Sequence, residues 1–475
     1  MAVTVPEALE ALAARWAAAA AIDARGYGPL VRDPAGLLDL PAGFRYRAFS
    51  MGVVGRTDDP RFSSRLDNGD PVPARHDGMA AFPGPGGVTV LVRNHEMNPG
   101  ATPAVDPARA RAYDPAGNGG TTTLWVDRDR NLVRSFASLS GTFRNCAGGA
   151  TPWGSWLSCE ECTYMPGGGD PVHHDRRPDV QRRHGYVFEV DARATELAEP
   201  TPIRAMGRFY HEALAVDPAT GIVYLSEDRT DGLFYRYRPD VVFREGRRPA
   251  DLRVGDLAKG GVLEALRIVD RPGADTSHHA LFDRSFPRGR KFRVDWVPIP
   301  DVDPEMDMER DPHDTGSPPL ERRARTAASS TRAQGARAGA ARFSRGEGVC
   351  HHGGSIYFCC TDGGRTHDGQ VWRLEPAARR LSLLVEPNDR RVLDGPDNLM
   401  MSPFGDLIVC EDGESVDRVL GITPKGRIYP LARNAFNDAE FAGACFSPDG
   451  ETMFVNMQEP GVTFAIWGPW RSRRA

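Results

Sequence analysis

Carboxylates, amides and thiols recur in this sequence at fixed separations. Asn145 precedes Glu160, Glu212 precedes Glu227 and Glu347 precedes Asp362 by 15 residues each, and Asp397 precedes Glu411 by 14. The second member of each pair ends a short apolar run, in "CEE" at 159–161, "SED" at 226–228 and "CED" at 410–412, with "NHE" at 94–96 as a further case. If the two ends of each span meet, Asn145, Glu212, Glu347 and Asp397 share one rim with Glu96, Glu160, Glu227, Asp228, Asp362 and Glu411. Carboxylates crowded in this way repel one another unless cations neutralise them. The simplest chemistry for the set is a multinuclear metal site. Acidic residues that merely cap hairpins are the competing reading, and the doublets weigh against it.

Carboxylate and amide oxygens are hard ligands suited to Ca²⁺, Mg²⁺ or Mn²⁺. Thiolates suit iron, zinc or copper. Cys159, Cys360 and Cys410 stand beside acidic strand ends, so a mixed site is open to them; a small buried hydrophobe is the commoner fate of a cysteine. Cys159-x-x-Cys162 has no second such pair and is a poor zinc motif, with Cys162 read as a bystander. His95 and His211 are possible ligands or supporting donors, whereas His173-His174, His278-His279 and His351-His352 read as solvent-facing loop residues. Arg345 lies two residues before Glu347. On a rim already neutralised by metals, its planar fork can hold an anion, and Asn145 can add an amide N–H. Metals, an arginine and an amide donor suit phosphoryl transfer. There is no Walker loop, HExxH or G-x-S-x-G.

The elements that must bring these residues together are strands. Six runs share one layout, at 76–96, 145–161, 211–228, 346–362, 395–412 and 441–461: an apolar strand, a Gly/Pro/Asp turn and a second strand. A separation of about 15 residues fits two strands of about six around a tight turn. Further β-like runs follow, such as "HGYVFEVD", "GLFYRYRP", "GQVWRLEP" and "RVLGITPKGRIYPL". This predicts an all-β, six-bladed β-propeller over 29–475, with Trp153 and Trp156 packed between blades. A short helix is expected over 1–28, ended near Gly26. The low-complexity segment within 301–342 reads as a mobile insertion.

Composition agrees with many turns and few long helices. The chain has 475 residues with Gly 51 and Pro 39. Its net charge of -5 gives no reason to expect nucleic-acid binding, and no apolar run is long enough to span a membrane. Eight cysteines in a chain this long do not make a disulfide framework. The N-terminus shows neither a positive n-region nor a twin-arginine motif, so the chain as given reads as unexported and cytoplasmic.

The segments "DGMAAF" (77–82), "NHEMNPG" (94–100), "NCAGGATPWGSWLSCEE" (145–161), "HEALAVDPATGIVYLSED" (211–228), "RGEGV" (345–349), "DGPDNL" (394–399) and "CEDG" (410–413) resemble the PhoX-type alkaline phosphatases. The resemblance runs from about residue 30 to the C-terminus. It implies a six-bladed propeller whose channel holds ferric iron and calcium bridged by an oxo group. By motif it makes Cys159 the iron-ligating thiolate and Glu212 and Glu347 metal ligands, with Glu347 also at the reaction centre. Arg345 and Asn145 become the phosphate contacts. Glu96, Glu160, Glu227, Asp228, Glu411 and Asp397 fit as further ligands. Members of that family are usually exported through a twin-arginine leader.

The expected activity is hydrolysis of phosphate monoesters by a monomer acting on a small phosphorylated substrate. A calcium-dependent, lactonase-like propeller hydrolase and a non-catalytic scaffold stabilised by calcium are the alternatives.

Overall fold

Alternation of apolar residues with Gly, Pro and Asp turn signals produces hairpins throughout the computed structural model, which describes residues 26–52, 63–166, 179–280, 283–304 and 330–470. The helix expected over 1–28 lies almost wholly outside these residues, as do His173, His174 and positions 305–329 of the expected insertion.

All six expected hairpins are present. Their first strands are His76–Pro83, Asn145–Ala150, His211–Val216, Gly346–His352, Pro396–Met401 and Phe441–Phe446. Each pairs antiparallel with the strand that follows it, so that Asn145 faces Glu160, His211 faces Glu227 and Pro396 faces Glu411. The outer runs also form strands: Val187–Asp191, Phe234–Pro239, Gln370–Glu375, Arg418–Ile422 and Ile428–Asn434. The first strands touch one another in sequence order, and Phe441–Phe446 touches His76–Pro83, which closes a ring around a central channel.

The result is an all-β, propeller-like fold, but its hydrogen-bonded sheets number five among the described residues. The hairpins that begin at His211 and Gly346 belong to one nine-stranded sheet. Two residue pairs join its halves, Phe292 with Leu381 and Arg293 with Arg380. The sheet that begins at Asn145 has only three strands. N-terminal strands complete C-terminal sheets: Arg45–Phe49 pairs with Val462–Trp467, and Leu38–Pro41 with Ile428–Asn434. This pairing ties the two ends of the chain together without a covalent link.

The core lies between sheets. Phe234 stacks on Phe358 with centroids 4.1 Å apart, in a cluster that includes Phe343, Phe286 and Trp372. Trp156 is buried against Ala80 and Phe82 of the neighbouring sheet, and its indole N–H donates to Asn94 Oδ1 at 2.8 Å. Trp153 packs more loosely beside the cluster of Leu214 and Val216. The described end of the expected insertion holds a short helix. Helix Thr331–Arg337 carries Arg332, which is buried against Glu227.

Candidate metal centre and active site

Every one of the six first strands carries one extra residue relative to its partner. His76 pairs with His95 but Met79 with Arg93; Asn145 pairs with Glu160 but Gly148 with Ser158; the same shift recurs in the other four. A β-bulge of this kind bends its strand and re-aims a side chain. In five strands the first bulge residue is chemically active: Asp77, Cys146, Glu212, Glu347 and Asp397. All five line one cavity of about 730 Å³ at the channel mouth. The next residue approaches the neighbouring strand closely. A Cβ on Gly78 would lie 2.6 Å from Ala147 Cα, and one on Gly348 2.6 Å from Leu399 N, which explains glycine at both.

The second strands contribute the residue just past the terminal pair, Glu96, Glu161, Asp228, Thr361, Asp412 and Gln458; these line the cavity with Asp362, which follows Thr361, and Glu440 from the last blade entrance. Three arginines occupy another repeated position, immediately before a first strand. Arg75, Arg144 and Arg345 have left-handed φ values of 49°, 44° and 50°. Such backbone costs about 1–3 kcal/mol per non-glycine residue and persists where surroundings enforce it. Here it turns three guanidiniums towards the cavity.

Two groups of donors converge. Cys146, Glu161 and Glu212 place ligand atoms within 4.8 Å of one another, and so do Glu212, Glu347 and Asp397. Glu212 belongs to both. Arginines pair with one acid of each group, Glu161 and Glu347, and with Asp228 and Glu96 beside them. Arg345 holds Asp228 through two bonds of 2.8 Å and reaches Glu347 at 3.2 Å. Glu96 bridges Arg75 and Arg144, each at 2.7 Å. Arg144 also holds Glu161 at 2.8 Å.

Carboxylates still outnumber guanidiniums in the cavity by more than two to one. Burial, then neighbouring carboxylates, pushes Asp77, Glu212 and Glu347 well above the usual carboxylate range. Burial pushes Glu161 up to about 8 against the pull of Arg144, and Asp397 up to about 7 against a hydrogen bond with Glu347. It also pushes the Cys146 thiol well up. Burial works on Asp228 too, but Arg345 outweighs it and leaves that group below its ordinary value. Groups raised in this way bind protons more tightly than ordinary carboxylates, and metal binding to such groups releases protons.

Several expected site residues lie elsewhere. Asn145 is one position short of the bulge; it is buried, donates to Ser158 Oγ at 2.9 Å and accepts from Thr142 Oγ1 at 2.6 Å. Cys159 faces the core with Val187 and Leu214, so the thiol at the cavity is Cys146. Glu160, Glu227 and Glu411 point behind the channel wall. Glu160 accepts from His184 Nδ1 and the backbone N–H groups of Phe143, Gly185 and Tyr186. Glu227 takes Arg332 and Tyr235, and Glu411 takes Arg418. His95 and His211 are buried against backbone carbonyls. Cys162 packs with Phe143 and Tyr164. Glu96, Glu212, Asp228, Glu347, Asp397 and Arg345 do lie at the cavity.

The family model of the alkaline phosphatase PhoX matches residues 25–136 and 128–461. The chain belongs to the PhoX alkaline phosphatase family. Its enzyme class is accordingly that of an alkaline phosphatase-like phosphoric monoester hydrolase. Among solved structures the chain is similar to Pseudomonas fluorescens PhoX in complex with vanadate, a transition state analogue. The TM-score is 0.62 at 18% identity over 91% of this chain and 96% of that one, a likeness of fold. The Xanthomonas campestris gluconolactonase XC5397 gives a TM-score of 0.37 at 12% identity over 93% of this chain and 98% of that one. Staphylococcus aureus virginiamycin B lyase gives 0.36 at 9% over 89% and 99%. No curated protein sequence matches the chain.

Sequence reasoning missed Asp77, Cys146, Glu161, Asp412, Glu440, Arg75 and Arg144. The signal was available: a chemically active residue stands second in five of the six strand-opening motifs, "HD", "NC", "HE", "GE" and "PD".

Proposed function

We propose that this chain hydrolyses phosphate monoesters at a mixed iron and calcium site in the channel mouth of a six-bladed propeller. The nine-stranded sheet counts as two blades, since only two residue pairs join its halves and each half has its own strand in the central ring. The observation that carries the reading is the pair of three-donor groups sharing Glu212, with Arg345 beside them.

The donor sets fit the two metals. A thiol with two carboxylates, Cys146 with Glu161 and Glu212, offers the soft ligand that iron accepts and calcium does not. The all-carboxylate set of Glu212, Glu347 and Asp397 is hard and suits calcium. When bound, such cations supply Lewis-acid polarisation of a phosphoryl group and charge stabilisation in transfer.

The chain's own residues bind and orient the ester. Arg345 is 37% exposed at its side chain, and Asp228 fixes its plane. Its Nη1 carries no hydrogen bond among the described residues, so it has a donor to offer an equatorial phosphoryl oxygen. Glu96 and Asn98 hold Arg144, which in turn pairs with Glu161 and keeps that carboxylate in place. A cavity of about 730 Å³ matches a small phosphorylated substrate. Asn145 has no part in this arrangement.

The test is elemental analysis combined with turnover of p-nitrophenyl phosphate across alkaline pH. Iron and calcium with turnover, inhibited by vanadate, is the expected result. A full metal complement with no turnover rejects the phosphatase reading, and retained iron in Cys146→Ser rejects the ligand assignment.

A further inference from the structure

One group of donor side chains on the cavity rim plays no part in the chemistry above. His279 lies in the loop between strands Gly261–Ile268 and Phe292–Pro298, and Asp362 and His367 lie between Ser355–Cys360 and Gln370–Glu375. The two loops are stitched together: Gly364 N donates to Ser277 O at 2.7 Å, and Gln370 Nε2 to Thr276 O at 3.1 Å. The imidazoles of His279 and His367 stand 4.2 Å apart between centroids. His367 Nδ1 is 2.6 Å from Asp362 Oδ1, and His279 Nε2 is 3.5 Å from Asp362 Oδ2. One ligand atom from each of the three residues lies within 4.8 Å of the other two.

Of the expected solvent-facing pair, His279 is exposed and His278 is not. His278 is buried, with Nδ1 2.6 Å from Glu386 Oε2, and its Nε2 accepts from Phe286 N at 3.1 Å. It anchors the backbone that presents His279. His278 and His367 both have left-handed φ, 61° and 58°. One strained residue belongs to the cluster and the other adjoins it, and strained backbone of this kind gathers at ligand clamps. The second oxygen of Asp362 accepts from Ser344 Oγ at 2.9 Å, the kind of outer hydrogen bond that orients a metal-binding carboxylate.

We propose that His279, Asp362 and His367 bind a divalent transition metal of the zinc class, separate from the cations of the channel. Two imidazoles and one carboxylate are a zinc-type donor set, unlike the carboxylate and thiol set below. Three protein ligands leave one coordination position open. Asp362 and His367 also line the cavity, so that position stands at the substrate entrance, where it offers a contact to a second anionic group of the substrate. His279 Nε2 is 2.6 Å from the Asp362 carbonyl oxygen. Metal binding exchanges that hydrogen bond for a coordinate one, with the imidazole proton carried on Nδ1.

The test uses the full chain purified with its own metals. Calorimetric titration with Zn²⁺, and with Co²⁺ followed by visible d–d absorption, is expected to show one further equivalent. His279→Ala, His367→Ala and Asp362→Asn should each weaken that uptake by about 10-fold or more. Cys146→Ser should keep the same Co²⁺ bands, so the outcome is independent of the channel assignment. The three side chains are partly exposed, and melting without added zinc checks that the variants fold. The assignment is overturned if the wild type takes up nothing beyond its channel metals. Unchanged uptake in the double variant of His279 and His367 also overturns it.

Discussion

Behind the channel wall sit Glu160, Glu227 and Glu411; one residue further along each strand, Glu161, Asp228 and Asp412 face the cavity. The residue types are the same, and the environments are opposite. The rear carboxylates are saturated with donors from their own surroundings: four on Glu160, and an arginine for each of the other two. They tie loops and the helix Thr331–Arg337 to the strand ends. The front carboxylates meet other acids, and arginines neutralise only some of them. A strand sends successive side chains to opposite sides, so a one-residue step exchanges a structural role for a chemical one.

The largest expected effect separates the two layers by stability. Glu227→Ala strips Arg332 of its closest buried partner, and breaking a buried pair costs about 3–5 kcal/mol. Denaturant unfolding should show this loss, while the folded fraction keeps the metals proposed for the channel. Loss of metal at full stability would place Glu227 in the front layer after all.

Next comes the thiol pair. Cys146→Ser should lower activity and iron content by about 100-fold, the upper end of what even an outer partner of a metal site contributes. Cys159→Ser should retain both and lose only about 1–2 kcal/mol of stability through a polar atom in the core. The reverse pattern, read by elemental analysis, would return the ligand role to Cys159.

A smaller contrast uses the arginines. Arg345→Lys keeps the charge but loses the two-bond hold on Asp228, and kcat/KM for p-nitrophenyl phosphate should fall about 10–100-fold. Arg418→Lys, behind the wall on Glu411, should shift the melting temperature and leave kcat/KM within about twofold. Equal kinetic losses in both would mean that the layers are not functionally distinct.

The smallest effect is in pH dependence of the chelated protein. Glu161 is raised to about 8 and Asp397 to about 7, so the folded state binds protons more tightly than the unfolded chain. Their contribution is fully present below the ordinary carboxylate range and is lost as pH rises through the folded values. The chelated protein should therefore melt a few degrees lower at pH 8 than at pH 5, and restored metals should remove most of the difference. Greater stability at the higher pH would contradict the crowding of these acids.

Much of the architecture was legible in the chain. The six hairpins, their turns and the meeting of their ends follow from apolar alternation and a span of about 15 residues. Turn chemistry and strand length are local properties. Glu96, Glu212, Asp228, Glu347, Asp397 and Arg345 were legible as candidates because their position near a strand end brings them to one rim. The merging of two hairpin units into one sheet was not legible, because the pairing of Phe292 with Leu381 joins residues far apart in sequence.

The division between Glu160 and Glu161, or between Asn145 and Cys146, belongs to tertiary structure alone. Sequence determined that strand-end acids, with amides and thiols beside them, gather near the channel mouth. Which of two adjacent side chains enters it depends on a bulge repeated in all six inner strands and on strand alternation. At the bulges neighbouring inner strands approach closely, at Gly78 against Ala147 and Gly348 against Leu399. That approach exists only once the ring of strands has closed.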